Sequence, residues 1–143
     1  LEVADNQMHD EFLNIPIDEL LQHIQQAIEN GHPVCWEGDI SEPEFQNPKN
    51  NYVDITSAER PVTQESRQKA FEQLHTTDDH VMEIIGTFVQ GKQRYYVCRN
   101  SWGTNWGNQG RIYLSEDYIK LKTIAVYMSE EAYIGKYQQK YIE

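Results

Sequence analysis

The sequence predicts an α+β domain: an antiparallel sheet, or half-barrel, with two flanking helices. Three features point there. An apolar stripe at helical spacing lies near the start, a second helical pattern follows a prolyl loop, and from residue 80 onward short β-rich runs are separated by glycines. At 143 residues the chain suits one domain with one core, taken here as 1–143.

Residues 1–15 read as irregular or weakly extended. A helix is expected over 16–30, where Pro16 suits a first turn, Gly31 a position just past the end, and Leu20, Leu21, Ile24, Ala27 and Ile28 share one stripe. "PVCWEGDI" reads as a short buried strand. "SEPEFQNPKNNYVDITSAERP" reads as a long loop, and "VTQESRQKAFEQLHT" as a second helix capped by Thr63. "HVMEIIGTFVQ" and "QRYYVCRNSW" then form a hairpin around Gly91. "GRIYLS" is a further strand, Ser115 caps a short helical turn over "EDYIK", and "TIAVYM" is a last strand. The tail "SEEAYIGKYQQKYIE" reads as helical or frayed.

Composition narrows function. Twenty-three acidic residues against twelve basic ones give a net charge of −11, which argues against nucleic acid as a partner, since phosphate binding needs a basic face. No apolar run approaches the ~18 residues of a membrane helix, and nothing at the start has the shape of a signal peptide. Leu1 rather than Met stands first, so a processed or excised piece is expected. Two cysteines, Cys35 and Cys98, are too few for a disulfide scaffold and do not decide the compartment.

The hairpin makes a geometric claim. His80 opens its first strand and Asn100 lies near the end of its second, so both fall at the same open end. By alternation His80, Met82 and Ile84 share one face, and Tyr96, Cys98 and Asn100 share one face of the partner. If the register joins those faces, His80 and Asn100 are cross-strand neighbours about 5 Å apart. A slip of one residue would separate them. An asparagine oxygen accepting a ring N–H holds imidazole in one tautomer without adding charge, leaving the other nitrogen for a nucleophile. That suits a thiolate–imidazolium pair, as in Cys-His-Asn peptidases, with Trp102 laid over the bond to keep water off it.

Asp79-His80-Val81-Met82, then Asn100-Ser101-Trp102-Gly103, Trp106-Gly107 and Gly110, resemble the histidine and asparagine segments of the papain-like cysteine peptidases. "RQKAFEQLHTTDDHVMEIIG" and "IDELLQHIQQAIENGHPVCWEGDI" resemble the bleomycin hydrolase and aminopeptidase C branch, so that the likeness covers about residues 10–130. The resemblance implies a papain-like β-rich lobe and a peptide substrate. It also implies a catalytic role for His80 as base, Asn100 as its orienter and Trp102 as shield, with Asp79 as adjacent support.

The resemblance also implies a cysteine at a helix N-terminus, in a lobe that comes first in the chain. No such segment is present. Cys35-Trp36 reproduces the end of the family's "C-G-S-C-W", but it reads as a strand running into acidic residues, which raise a thiol pKa. Cys98 follows His80, in the wrong order for the family, and reads as core. The chain is therefore expected to be the second half of a two-lobed enzyme, inactive alone. It needs the missing N-terminal lobe as partner, is prone to self-association through the face that lobe would cover, and requires no cofactor. His75, Asp78, Asp79 and His80 are spaced as a metal site might be, but a helix-to-strand change between them makes the side chains diverge. Two other readings stay open: a noncatalytic peptide- or carbohydrate-binding module built on aromatic rings, and a pseudoenzyme that lost its nucleophile. Tyr118, Tyr127 and Tyr133 are expected to be packing residues.

Overall fold

The computed structural model describes residues 12–133; the expectations for the first eleven residues and for the tail beyond 133 lie outside them. The sheet has six strands: β1 (Val34–Gly38), β2 (Tyr52–Val53), β3 (His80–Gln90), β4 (Gln93–Arg99), β5 (Arg111–Ser115) and β6 (Thr123–Tyr127). Their order across the sheet is β2-β5-β4-β3-β1-β6. Neighbours run antiparallel except β2, which lies parallel to β5 through Tyr52 opposite Tyr113 and Val53 opposite Leu114.

Helix α1 (Ile17–Glu29) forms where expected, with Pro16 at the N-cap rather than inside and Gly31 at φ +83° just past the end. Its stripe of Leu21, Ile24 and Ala27 packs on the inner face of the sheet. There Val34, Trp36, Met82, Ile84, Tyr96, Cys98, Ile112 and Leu114 make up the core. Ile24 is completely buried, which stabilises the fold by about 1.5–3 kcal/mol. The long segment after β1 is not a plain loop. It holds a short helix α2 (Pro43–Gln46), strand β2 and a 3₁₀ turn at Ser57–Glu59, because Phe45, Val53 and Ile55 each turn into the core. Helix α3 (Gln64–Glu72) is capped by Thr63, whose Oγ1 accepts from Ser66 N at 3.0 Å. Helix α4 (Glu116–Lys122) is capped by Ser115, whose Oγ accepts from Tyr118 N at 3.1 Å. Thus α1 and α3 are the two anticipated flanking helices and α4 the short turn expected after Ser115, while α2 is an addition. Among the described residues no helix is long and apolar enough to cross a membrane.

Two details fix where β3 begins. Gly38 ends β1 opposite His80, and a Cβ on it would lie 2.3 Å from the Lys122 carbonyl oxygen and 2.4 Å from the Trp36 ring. Trp36 is locked in place because its indole N–H donates to Thr123 Oγ1 at 2.7 Å in the dry core. Gly38→Ala is therefore expected to cost about 1–3 kcal/mol, read as a lower urea midpoint at unchanged slope. A midpoint within error of the parent would show that the backbone there has room.

Candidate active site

His80 and Asn100 meet, though not as directly opposed residues. The hairpin turn at Gly91–Lys92 pairs Gln90 with Gln93, and pairing holds in step up to Gly86 opposite Val97. Carried on unchanged, that register would set Asn100 opposite Glu83, on the face away from His80. Instead the register shifts between Ile84 and Gly86: Ile85 is an extra residue, and Ile84 now lies opposite Cys98 and Glu83 opposite Arg99. One step further sets Asn100 opposite Met82, on the inner face, with His80 its diagonal neighbour. A diagonal pair is within range of long side chains. His80 Nε2 lies 3.0 Å from Asn100 Oδ1.

The chemistry of that contact is determined by a third group. The Ser101 backbone N–H donates to the same Asn100 Oδ1 at 2.8 Å. A backbone amide can only donate, so the shared atom is the oxygen. An oxygen without a proton can only accept, so His80 carries its hydrogen on Nε2. In the neutral ring Nδ1 is then a free base. Asn100 is 8% exposed, and its Nδ2 is buried without a partner among the described residues.

The loop from Asn100 to Gly110 closes on itself. Asn100 N donates to the Gly110 carbonyl at 2.9 Å and Gly110 N to that of Trp106 at 2.7 Å. Gly107 sits at φ +58°, and a Cβ there would lie 2.4 Å from the Arg111 carbonyl oxygen, so only glycine fits the turn. The loop holds Trp102 against the imidazole, ring centres 5.0 Å apart and tilted 43°. Trp106 braces Trp102 edge-on at 5.0 Å, and Phe45 of α2 supports both. Trp102 covers one face of His80 yet remains 48% exposed, because the described residues pack only one side of it.

Asp79 supports the backbone rather than the ring. Its Oδ1 accepts from Ile40 N at 2.9 Å and its Oδ2 from Thr77 Oγ1 at 3.1 Å. Cys35 lies on the outer face, opposite Glu83, and burial, then the charges of Glu37 and Glu83, push its thiol above the ordinary range. Cys98 is fully buried in the core, and burial pushes its thiol up further. Neither sulfur is a primed nucleophile. His75 is exposed in the turn after α3, and no three His, Cys, Asp or Glu side chains converge among the described residues. Of the tyrosines, Tyr118 is fully buried, whereas Tyr127 is 48% exposed and donates to Glu37 at 2.7 Å. Tyr133 lies half-buried against His23, ring centres 4.7 Å apart. Tyr52, Phe88, Tyr95 and Tyr113 form a half-buried cluster of rings, several packed edge to face, rather than an open row.

The segment 6–132 matches the family model described as papain family cysteine protease. The chain belongs to the papain family of cysteine proteases. It is 28% identical over 106 residues to silicatein of Petrosia ficiformis, covering 74% of this chain and 27% of that protein. It is 28% identical over 96 residues to cysteine proteinase 3 of Entamoeba histolytica, covering 66% and 26%. A probable cysteine protease of Arabidopsis thaliana is 40% identical over 43 residues, 30% of this chain and 12% of that one. The crystal structure of PepW from Lactobacillus rhamnosis superposes with a TM-score of 0.71 at 16% identity, over 90% of this chain and 29% of that one, which shows the shared fold. The chain thus spans 12–27% of the length of these curated relatives and 29% of PepW.

Sequence reading missed three features of the site. Phe45 was lost in the presumed loop. Asp39 stood in "GDI" with no local pattern to mark it. The pairing of Asp78 with Glu37 joins residues far apart in the chain.

Two predictions follow from this geometry. Deleting Ile85 is expected to close the bulge into a regular ladder that keeps Ile84 opposite Cys98, so the protected His80 Nε2–H signal in NMR should persist along with Thr87–Tyr96 pairing. Loss of that signal would show that the bulge positions Asn100 by more than its register. Second, partial desolvation, then the hydrogen bond to Glu37 and the charges of Glu37 and Asp79, raise the Asp78 carboxyl to about 6. A raised folded-state value makes its contribution to stability complete below the unfolded value near ~4 and lost as pH rises through about 6. Glu37→Gln should therefore lower the Asp78 carbon titration midpoint, with the part due to burial and Asp79 remaining, and raise the melting temperature more at pH 7 than at pH 4; an unmoved Asp78 midpoint would refute the pairing.

Proposed function

We propose that His80 and Asn100 are the base and orienter of a thiol peptidase whose attacking sulfur is supplied by a separate cysteine-bearing lobe. The observation that carries this reading is the His80 Nε2–Asn100 Oδ1 bond with its oxygen identity fixed by Ser101 N. It leaves Nδ1 as the basic nitrogen that would take a thiol proton, giving the thiolate–imidazolium pair that attacks a peptide carbonyl. Trp102 shields the bond and strengthens it by excluding water from one side. Two observations favour an external sulfur over an internal one. Cys98 is sealed in the core, and Cys35 sits on the outer face among carboxylates.

The outer face, whose depression reaches Asn100 and Ser101 at the open end of the hairpin, offers the place for that lobe. Pro33, Cys35, Val81, Tyr127 and Met128 border an open depression of about 630 Å³, crossed by the Glu83–Arg99 ion pair. Val81 and Tyr127 are about half exposed there, and the relatives' greater length leaves ample chain to fill it. Without its lobe the chain is expected to be inactive and to self-associate through this surface. Within the family we assign it to the bleomycin hydrolase and aminopeptidase C branch; the helix leading into "TTDDH" supports this.

In the full-length enzyme, His80→Ala should lower kcat/KM by about 10²–10⁴-fold, and Asn100→Ala less, with a KM close to the parent's. A variant lacking His80 that keeps parent activity would end the catalytic reading and leave the pseudoenzyme or binding-module alternative. With the 143-residue chain alone, iodoacetamide should alkylate Cys35 slowly at pH 7, faster as pH rises, and Cys98 only after unfolding. Fast stoichiometric labelling of Cys35 at neutral pH would point to an internal nucleophile instead.

A further inference from the structure

We propose that Asp39 is a positioning residue for His80: its buried carboxylate ties residues 77–79 to the end of β1 and so aims the imidazole at Asn100. The β1–β3 ladder ends where Gly38 pairs with His80. The next pair in that register would be Asp39 opposite Asp79, two carboxylates side by side, which is destabilising when nothing else intervenes. Here donors intervene on both sides. Asp39 Oδ1 accepts from the Ser41 backbone N–H and hydroxyl, each at 2.7 Å, and Oδ2 accepts from Thr77 N at 2.8 Å; the one Thr77 hydroxyl hydrogen is shared between Asp39 Oδ2 at 3.3 Å and Asp79 Oδ2 at 3.1 Å. Asp79 reciprocates by accepting from Ile40 N at 2.9 Å. Beyond the last ladder pair each carboxylate thus takes a backbone N–H of the opposite segment, adding to a single long backbone bond from Asp79 N to the Gly38 carbonyl at 3.4 Å.

The two halves of this clasp differ in environment. Asp79 is exposed, whereas Asp39 is 1% exposed. Burial by itself pushes the Asp39 carboxyl up. The hydrogen bonds from Ser41 and Thr77 and the charge of Lys122 outweigh it and hold the group below the usual carboxylate range. Lys122, also 1% exposed, pairs with Glu42 and donates to the His75 carbonyl at 2.9 Å. It braces the two segments that Asp39 joins. The Tyr118 hydroxyl donates to the Asp39 carbonyl at 2.8 Å and fixes the residue from behind. The chain leading into His80 is therefore held by a fully satisfied buried charge, which is costly to disturb because every donor left behind is desolvated. The proposal concerns where the imidazole sits, and it stands whether or not a sulfur is delivered to it.

The test is long-range nitrogen–proton NMR on the ¹⁵N-labelled 143-residue chain, reading the His80 tautomer and the solvent exchange of its Nε2–H, with His32 as internal control. Asp39→Asn keeps the shape but presents an NH₂ to donors, so it cannot replace the carboxylate. It should convert His80 to a tautomer mixture and speed Nε2–H exchange at least tenfold. Thr77→Val removes only the bridging hydroxyl and should shift both in the same direction by less. Asp39 would be merely structural, and the proposal wrong, if Asp39→Asn lowered the melting temperature while tautomer and exchange stayed at parent values. Should that variant not fold, Thr77→Val decides: parent-like exchange overturns the proposal, faster exchange supports it.

Discussion

The placement of one surplus residue governs this site. A two-residue hairpin turn commits β3 and β4 to a register in which His80 and Asn100 belong to opposite sides of the sheet. Ile85 breaks that register by one position, and the side chains of the whole open end change partners. Every other feature of the site presumes this shift: the shared Asn100 oxygen, the fixed tautomer, and the indole laid across the ring.

The bulge also explains the division between what the sequence disclosed and what it withheld. Residue types and alternation sufficed for the strands, for the caps at Thr63 and Ser115, and for the suspicion that His80 and Asn100 cooperate. Alternation alone could not say whether they share a face, because the answer depends on parity, and a single uncounted residue inverts parity. Gly86, beside the bulge, was the one local sign, and a lone glycine in a strand is weak notice. The segment from Ser41 to Arg60 was misread for another reason. Its prolines and asparagines are real turn formers, and although Val53 and Ile55 are two residues apart, Phe45 lies eight residues earlier across Pro48, so the common burial of all three shows only in three dimensions.

Asp39 was illegible on different grounds. A carboxylate after an apolar strand normally marks the return to solvent. Its burial depends on donors from Ser41 and from Thr77, which lies 38 residues away, and on a lysine contributed by the junction of α4 and β6. The family resemblance directs attention to His80 and its neighbour Asp79; the buried partner that completes the clasp lies near the end of the segment "GHPVCWEGDI", where nothing singles it out.

Although twenty positions separate His80 from Asn100, the polymer between them is zipped into a ladder whose only unpaired reversal is Gly91–Lys92. The loop-closure entropy of bringing the two together is therefore that of a very short ring, and each ladder rung lessens the cost of the next. Asp39 is recruited across a much longer stretch and carries a higher contact order. The pair and its clasp thus belong to different length scales of folding: one can assemble within a single hairpin, the other only once the termini of several elements have been brought to the same place.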